Sequence, residues 1–372
     1  MSTIKNKHFD ICIEARNIAG LGSINVVSNI LRELSQNNFF CTNSVYLTLP
    51  NIEFWNNFSK TLNINWTIRL LDRKRNKYHR LINRAFDIIF GHLTMPRCKI
   101  LIVLGDFPLR TNNKQVLLLH NAHLINETKS NYSFSFHRLI FSLNHKYVDF
   151  CIVQTSEVKN RLEKIYPHFI SKTESIFMPV RSNLSKHTSS INKLTDFNVK
   201  KKFKLFYPAS FYLHKNHKIL VDLLDFNKDI LENFYLKLTI TKDEFSSIKK
   251  FKSLPSNLEF VGLINESEIL SNYFESDALF FPSIDESYGL PLVEAMKLGL
   301  YIICSDMPYA KTLCGDQAIY FDPYDVTSLI KALDTLSLNI TNNIKPDWSK
   351  NLVKIPENWE IYTNQFLEKI FK

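Results

Sequence analysis

Short apolar runs alternate with longer segments of helical periodicity along most of the chain. In the first half the apolar runs predict strands near 8–14, 44–49, 64–70, 99–104, 115–120, 150–154 and 174–178, and the periodic segments predict helices near 23–36, 78–90, 136–148 and 156–166. A second series predicts strands near 204–209, 234–241, 258–261, 278–283, 301–305 and 318–321, with helices near 216–225, 265–275, 290–298 and 325–336. This alternation favours parallel sheets with helices on both faces.

A polar segment separates the two series. Residues 181–203 are rich in Ser, Asn and Lys and lack a strong period, which predicts an interdomain linker. We therefore expect an α/β protein with two doubly wound, Rossmann-like domains, 1–180 and 204–352, facing each other across a cleft. Ligands of such sheets bind beyond the carboxyl ends of the strands.

Composition narrows the class of protein. Hydrophobic residues make up 45% of the chain and charged residues 22%, a globular mixture that excludes disorder, collagen and coiled coil. The net charge of +10 favours a polyanionic partner, which could be nucleic acid, an anionic membrane or a phosphate-bearing substrate. Six cysteines without a C-x-x-C pair indicate reduced thiols in a cytosolic protein. No apolar run approaches the ~20 residues of a membrane span, and the N-terminal segment lacks the apolar core of a signal peptide.

The sharpest motif is "FFPSIDESYGLPLVEAMKLG". It predicts a strand, a loop that carries Glu286, and a helix that starts near Leu290 with Pro291 in its first turn. A helix start after a strand presents backbone N–H groups to a diphosphate. Glu286 and Glu294 would then accept hydrogen bonds from sugar hydroxyls on either side of the phosphates. A capped helix with two solvated glutamates is the alternative, but the strand, glycine and proline context favours function.

These residues resemble the family 4 retaining glycosyltransferases of the GT-B fold, whose signature is two glutamates separated by seven residues. The match is "ESYGLPLVE", and "GDQAIYFDPYD" is similar to the strand and turn that follow it in the family. The resemblance implies that Glu286 contacts the transferred sugar, Glu294 the ribose hydroxyls, and the backbone of Gly289 and Leu290 the diphosphate. The implied donor-binding residues are Ser210, Lys215, Asn216, Tyr288, Gly289, Leu290, Pro291 and Glu294.

The loop "YPASFYLHKNH" opens the second domain. Lys215 can neutralise a leaving diphosphate, although taken alone it would be one more surface lysine. In the family this loop carries an arginine followed by a lysine, and here Ser210 stands at the arginine position. The resemblance therefore leaves phosphate neutralisation to Lys215, with His214 or Asn216 as helpers.

The first strand and first helix are joined by the loop "RNIAGLG". Gly20 and Gly22 form a weak G-x-G signal, for which a tight turn is the usual explanation. Only eight glycines occur where average usage gives about 26, so we expect each to occupy a position that needs one. The corresponding loop of the family lines the cleft, and Arg16 is a further candidate there.

Two polar residues follow buried strands of the first half. His120 ends the run "QVLLLH", where a structural role is the default for a histidine. The resemblance places His120 close to the reacting sugar as a catalytic residue, with His123 as the second choice. Asp106, in "VLGDFPLR", could accept a hydrogen bond from an acceptor hydroxyl.

A basic stretch extends from Arg69 to Arg84 and carries apolar residues at helical spacing. It could lie on an anionic membrane with "FWNNF" at 54–58 as an aromatic wedge, or it could be an ordinary surface helix. The resemblance favours the membrane, because it implies a lipid-linked glycan as acceptor. It also implies that residues 353–372 form a C-terminal helix that packs back toward the first domain.

The expected function is thus transfer of a sugar from a nucleotide-diphosphate donor to a lipid-linked glycan in bacterial surface polysaccharide synthesis, such as O-antigen or capsule. The protein would be cytoplasmic and peripheral on the inner face of the cytoplasmic membrane. No D-x-D triplet occurs, so we expect no metal and no cofactor, and the absence of a recognised motif argues against nucleic acid. Two alternatives stay open: an epimerase or phosphorylase of the same fold, and a non-catalytic assembly subunit with a degenerate donor site, which the Ser210 departure supports.

Overall fold

The computed structural model describes residues 7–62, 64–72, 95–125, 132–180, 202–226 and 229–371. The chain divides into two compact units, Met1–Met178 together with Trp359–Lys372, and Pro179–Asn358. Residues 181–201 of the predicted linker and the helix predicted near 78–90 lie outside the described residues.

The first unit contains a seven-stranded parallel sheet of order β3-β2-β1-β4-β5-β6-β7. Its strands are β1 His8–Glu14, β2 Val45–Asn51, β3 Thr67–Asp72, β4 Arg97–Val103, β5 Lys114–Leu118, β6 Phe150–Val153 and β7 Thr173–Ser175. Its helices are α1 Leu21–Gln36, α2 Asn38–Thr42, α3 Glu53–Thr61, α4 Tyr132–Asn144 and α5 Ser156–Ile165, with a C-terminal helix described below.

The second unit contains a six-stranded parallel sheet of order β10-β9-β8-β11-β12-β13. Its strands are β8 Phe203–Tyr207, β9 Phe234–Leu238, β10 Leu258–Phe260, β11 Ala278–Phe281, β12 Tyr301–Ser305 and β13 Ile319–Phe321. Its helices are α6 Lys218–Phe226, α7 Lys242–Ile248, α8 Glu266–Glu275, α9 Leu290–Lys297, α10 Pro308–Cys314, α11 Val326–Thr341 and α12 Ser349–Leu352.

Both sheets follow from the sequence pattern. Parallel strands are covered on both faces, so they appear as continuous apolar runs, such as "ALFF" in β11, where every residue is buried. The helices bury one stripe, as α1 does with Val27, Ile30 and Leu34. The predicted α/β class and both strand series are confirmed. The short helices α2, α3, α7, α10 and α12 were not predicted.

Each sheet reverses its strand order at one point. In the first sheet β1 lies between β2 and β4, and in the second β8 lies between β9 and β11. The connections that leave β8 and β11 run to opposite faces of the sheet, which opens a crevice at the carboxyl ends of these strands. Lys215 lies in the segment that follows β8, 208–217, and Glu286 lies in the segment that follows β11, 282–289.

The C-terminal helix, α13 Trp359–Phe371, belongs to the first unit and packs against α1. It buries Trp359, Tyr362 and Phe366. The ring of Phe371 meets that of Phe39 edge-on at 4.8 Å between centroids.

The proposed aromatic wedge at 54–58 is wrong. These residues belong to α3, which turns Trp55 and Phe58 into the core and, of its three aromatic side chains, leaves only that of Phe54 substantially exposed. Of the basic stretch, Arg69–Asp72 form the end of β3 rather than a helix, and its remainder lies outside the described residues. Within the described ranges, no helix combines the length and apolar character needed to cross a bilayer.

Candidate functional site

An ion pair joins the two loops at the strand-order reversal of the second unit. Lys215 closes a single 3-10 turn, Leu213–Lys215, after β8, and Glu286 lies in the loop after β11. Because β8 and β11 are hydrogen-bonded neighbours, the two loops leave the same edge of the sheet side by side. The Lys215 ammonium contacts Oε1 of Glu286, and the two side chains are only 17% and 14% exposed.

Ser283 is a third member of this site. Its hydroxyl lies 2.7 Å from Oε1 of Glu286 and 3.1 Å from the carbonyl oxygen of His214. The N–H of Ile284 donates to the same His214 carbonyl at 2.8 Å. The two loops are therefore connected through both main chain and side chains. Ser283 was not predicted as a site residue, and its only signal in the sequence is that it closes the "FFPS" run.

The Lys215 loop is held by contacts on both sides of the lysine. Asn216 adopts the left-handed conformation, with φ of 53°, and its side-chain amide donates to the carbonyl of Pro323 at 2.9 Å. The hydroxyl of Tyr207 donates to the carbonyl of Lys215. The amide nitrogen of Asn216 is thus used within the protein, and its contact with a donor stays a prediction. Ser210 is exposed in the segment between β8 and the turn.

The start of α9 is shaped by Gly289 and Pro291. Gly289 has a φ of 91°, and a Cβ at this position would lie 3.1 Å from Cδ1 of Leu292, so the position requires glycine. Pro291 has no N–H, and the N–H of Leu292 donates to the Gly289 carbonyl at 2.9 Å. An anion at this helix start would therefore be met by the N–H groups of Gly289 and Leu290. Tyr288, also predicted to bind the donor, has a buried side chain.

Glu294 lies one turn into α9 and is buried, with 1% of its surface exposed. The hydroxyl of Tyr273 donates to its Oε2 at 2.8 Å. The alternative of a surface helix with two solvated glutamates is wrong, since Glu294 is inside the protein and Glu286 is paired with Lys215.

His217 is a buried residue that the sequence analysis missed. Its ring lies between the rings of Tyr207 and Phe211, at 4.9 and 5.7 Å between centroids. Neither ring nitrogen has a hydrogen-bond partner among the described residues. Burial, reinforced by the nearby charge of Lys215, lowers the pKa of His217 to about 4. The only sequence signal was its place in "HKNH", next to the predicted lysine.

In the first unit the structure brings together His120 and Asp106. Asp106 has a left-handed φ of 66°, and its Oδ1 accepts hydrogen bonds from the N–H groups of His120, at 2.6 Å, and Asn121, at 3.0 Å. Asp106 therefore fixes the segment that carries His120. Nδ1 of His120 lies 3.3 Å from the side-chain amide of Gln154. Burial lowers the pKa of His120, and Asp106 opposes this shift. The side chain of His123 lies outside the described part of the structure.

Arg16 is paired with the carboxylate of Glu14, the last residue of β1. It forms a two-pronged pair with Glu14, at 2.6 Å from Nε to Oε1 and 2.8 Å from a terminal nitrogen to Oε2. The hydroxyl of Thr48 donates to Oε2 of Glu14 at 2.6 Å. Arg16 is buried at 9% exposure, so its guanidinium is part of the interior of the first unit.

The two glycines after β1 do not occupy positions that need glycine. Gly20 precedes α1 with a φ of −77°, which any residue can adopt. Gly22 lies in the first turn of α1, and a Cβ there would meet nothing within 4 Å. The expectation that every glycine serves the backbone is therefore wrong for this pair.

Neither disulfides nor a metal cluster is found among the residues that the structure describes. All six cysteines are free thiols, and only Cys41 is exposed. No group of three or more His, Cys, Asp or Glu side chains within the described ranges is arranged to hold a metal ion.

The sequence of the second unit matches a known family. Residues 192–351 match the family described as "Glycosyl transferases group 1". The O-antigen chain mannosyltransferase B of Escherichia coli is 26% identical over 115 residues, which are 29% of this chain and 28% of that protein. The O-antigen chain mannosyltransferase RfbU of Salmonella typhimurium is 27% identical over 155 residues, 40% of this chain and 42% of that protein. The matched stretches span less than half of either relative.

A solved structure shares the architecture of both units. HepE of Anabaena, in complex with UDP and glucose, is similar with a TM-score of 0.68 over 97% of this chain and 99% of its own, at 12% identity. Likeness at this identity shows the fold, which is that of two parallel-sheet Rossmann-like α/β units of the GT-B type.

Proposed function

We propose that the chain is a retaining glycosyltransferase of family 4, which moves a sugar from a nucleotide-diphosphate donor to an acceptor hydroxyl. The observation that carries the proposal is the Lys215–Glu286 ion pair at the strand-order reversal of the second sheet, with α9 starting four residues after Glu286. The seven-residue spacing from Glu286 to Glu294 and the family match over 192–351 support it.

Each residue of the pair has a chemical role in this proposal. Lys215 and the N–H groups at the start of α9 stabilise the negative charge that develops on the leaving diphosphate. Oε1 of Glu286 holds Lys215 and Ser283, so Oε2 is the oxygen that accepts a hydroxyl of the transferred sugar. Glu294 accepts the ribose hydroxyls, and His120 stays a predicted catalytic residue. Because fixed protein charges supply the stabilisation, the reaction needs no metal.

The relatives suggest the substrates. Two of them are O-antigen mannosyltransferases, so we infer that the donor is a mannose nucleotide and the acceptor a lipid-linked glycan of a bacterial O-antigen or capsule. An acceptor of this kind lies in a membrane. We therefore propose that the chain works in the cytoplasm at the inner membrane face, which the net charge of +10 favours.

The test is transfer by the full chain in the presence of EDTA, with a panel of GDP-, UDP-, ADP- and dTDP-sugars and a polyprenyl-diphosphate glycan. We expect nucleotide release with one donor and an α-linked product by NMR. The variants Lys215→Met and Glu286→Gln should each lower kcat by about 10²–10³-fold, the usual loss when a transition-state contact is removed. Lys218→Met is the matched control, since Lys218 is exposed and pairs with Asp222 on the outside of α6.

Three results would contradict parts of the proposal. A β-linked product would exclude retention, and loss of turnover in EDTA would exclude metal independence. No turnover of any donor, with unchanged thermal stability on adding each nucleotide sugar, would favour the non-catalytic assembly subunit, for which the exposed Ser210 at the family's arginine position remains the main support.

A further inference from the structure

The carboxylate of Glu286 is fixed through one oxygen. Oε1 receives the Lys215 ammonium and lies 2.7 Å from the Ser283 hydroxyl. Ser283 has one proton and two possible acceptors, and the second, the His214 carbonyl, already accepts from the N–H of Ile284. The carboxylate is the closer acceptor and the charged one, so the Ser283 proton points at Glu286.

Two buried tyrosines hold the two residues that contact Oε1. The hydroxyl of Tyr207, at the end of β8, donates to the main-chain carbonyl of Lys215. The hydroxyl of Tyr309, in α10, donates to the main-chain carbonyl of Ser283 at 2.7 Å. Both rings are at most 2% exposed. Each partner of Oε1 therefore has its own backbone fixed by one tyrosine, and the two tyrosines come from different elements.

The rings of these tyrosines are themselves fixed by packing. The ring of Phe281 contacts both, with its centroid 6.1 Å from that of Tyr207 and 6.3 Å from that of Tyr309, and both contacts are near perpendicular. The Lys215 ammonium lies 5.7 Å above the same Phe281 ring. Burial raises the pKa of both phenols well above the usual value, and the charge of Glu286 adds to this. Both hydroxyls thus keep their protons and remain donors.

We propose that Tyr207 and Tyr309 are positioning residues that fix the orientation of the Glu286 carboxylate through Lys215 and Ser283. This rests on the proposed function, in which the orientation of Glu286 determines how well it meets the transferred sugar in the transition state. Removing either hydroxyl leaves the ring packing, the start of α9 and Glu294 in place, and the Lys215 contact with the leaving diphosphate strengthens only as charge develops in the transition state. The loss should therefore appear in kcat rather than in the KM for the donor.

The experiment compares Tyr207→Phe and Tyr309→Phe with the parent chain in steady-state transfer. Each variant should lower kcat roughly tenfold, with donor KM changed by less than about twofold, the size expected for one lost buried hydrogen bond. In a Glu286→Gln background Tyr309→Phe should have no further effect, because the carboxylate through which it acts is gone, and Tyr207→Phe should keep only the part of its effect that acts through Lys215 on the diphosphate. Tyr362→Phe in α13 is the control, since its buried hydroxyl has no hydrogen-bond partner among the described residues.

A second measurement does not depend on transfer. Lys215 is only 17% exposed in its pair, so its modification by an amine-reactive acetylating reagent, followed by peptide mass spectrometry, should be slow. Both tyrosine variants should accelerate it several-fold, and Tyr362→Phe should not.

The outcomes separate the two proposals. If the parent chain transfers sugar and the Phe variants keep its kcat, or add their full effect to Glu286→Gln, the positioning role is refuted and the function stands. If the parent chain transfers nothing, the function is refuted, and unchanged labelling of Lys215 in the variants refutes the positioning role as well.

Discussion

Replacing His217 by phenylalanine should remove an acid sensitivity from the second unit. His217 is 2% exposed and lies between two aromatic rings, and neither of its nitrogens has a partner among the described residues. Protonation would therefore put an uncompensated charge into the interior. Lys215 and His214 repel that charge further, and only Glu244 opposes them. Phenylalanine fills a similar volume and cannot be protonated.

The magnitude follows from the two pKa values. The pKa of His217 is about 4 in the folded chain and 6.5 when the side chain is unperturbed. Between these values the unfolded chain binds more protons than the folded one, so the free energy of unfolding rises with pH in this window and levels off above it. One pKa unit corresponds to about 1.4 kcal/mol, which gives about 3 kcal/mol for the window and about 2 kcal/mol between about pH 7.5 and about pH 5.

Buried cysteines provide an assay that reads each unit separately. Cys304 is buried in the second unit and Cys151 in the first, so each reacts with dithiodipyridine, which works at acid pH, when its own unit unfolds. Labelling of Cys304 in brief pulses along a urea titration measures the free energy of unfolding of the second unit. In the parent chain we expect this free energy to fall by about 2 kcal/mol between about pH 7.5 and about pH 5. In His217→Phe the same free energy should fall much less over this pH range.

The comparison of slopes is insensitive to packing changes. Overpacking by the larger ring would shift the stability of His217→Phe by a similar amount at every pH. The unfolding free energy that Cys151 reports should depend on pH in the variant as it does in the parent chain, since the buried histidines of the first unit are unchanged. Parallel pH profiles for Cys304 in the parent and the variant would refute the reasoning.

Two further predictions concern the backbone and the interior. Gly289→Ala and Gly299→Ala should each cost about 1–2 kcal/mol in unfolding free energy, because both positions have positive φ. Only Gly289→Ala, whose Cβ would press on Leu292 at the helix start, should also weaken nucleotide binding in calorimetry, and equal binding by both variants would contradict the role of that helix start. Arg16→Met should cost about 3–5 kcal/mol because it leaves Glu14 charged and buried, and urea unfolding of Arg16→Met with Glu14→Gln should recover most of the loss. A double variant no more stable than the single one would contradict this reasoning, because the loss would then not come from an unpaired Glu14.

The fold was predictable because the burial of each strand and helix determines which of its positions must be apolar. Strands covered on both faces, such as β11, need four or more consecutive apolar residues, and that requirement is visible without the structure. Short helices leave a weaker trace. Helix α7 buries one side chain, Phe245, and is held at its start by a capping box of Thr241 and Glu244, so its sequence has no apolar stripe.

The site was predictable as far as strand topology determines it. Lys215 and Glu286 were predicted because each follows the end of a predicted strand. Their closeness follows from the strand order, in which β8 and β11 are neighbours. The direct pairing of the two side chains does not follow from the sequence, since 71 positions separate them.

Side-chain contacts that depend on the register between strands distant in sequence could not be predicted from the sequence. Arg16 was a candidate because it lies just before the loop whose counterpart in the resembled family lines the cleft. The register of β1 and β2 instead places Thr48 beside Glu14, which makes a buried polar group of three side chains.

If the start of α9 binds a diphosphate, as we propose, the Lys215–Glu286 ion pair explains how a carboxylate can lie beside it. Without a cation, Glu286 would repel a diphosphate at the adjacent helix start, and the low dielectric of a partly buried site would strengthen that repulsion. With Lys215 in contact, the pair is neutral as a whole, and the ammonium can be shared between the carboxylate and an entering phosphate. The neutral hydroxyl of Tyr273 donates to Oε2 of Glu294, which fits the proposed ribose partner, since that partner also offers hydroxyls rather than charge. On the proposed function, the two glutamates would suit different parts of a nucleotide sugar, because Lys215 gives Glu286 a charged partner and Tyr273 gives Glu294 a neutral one.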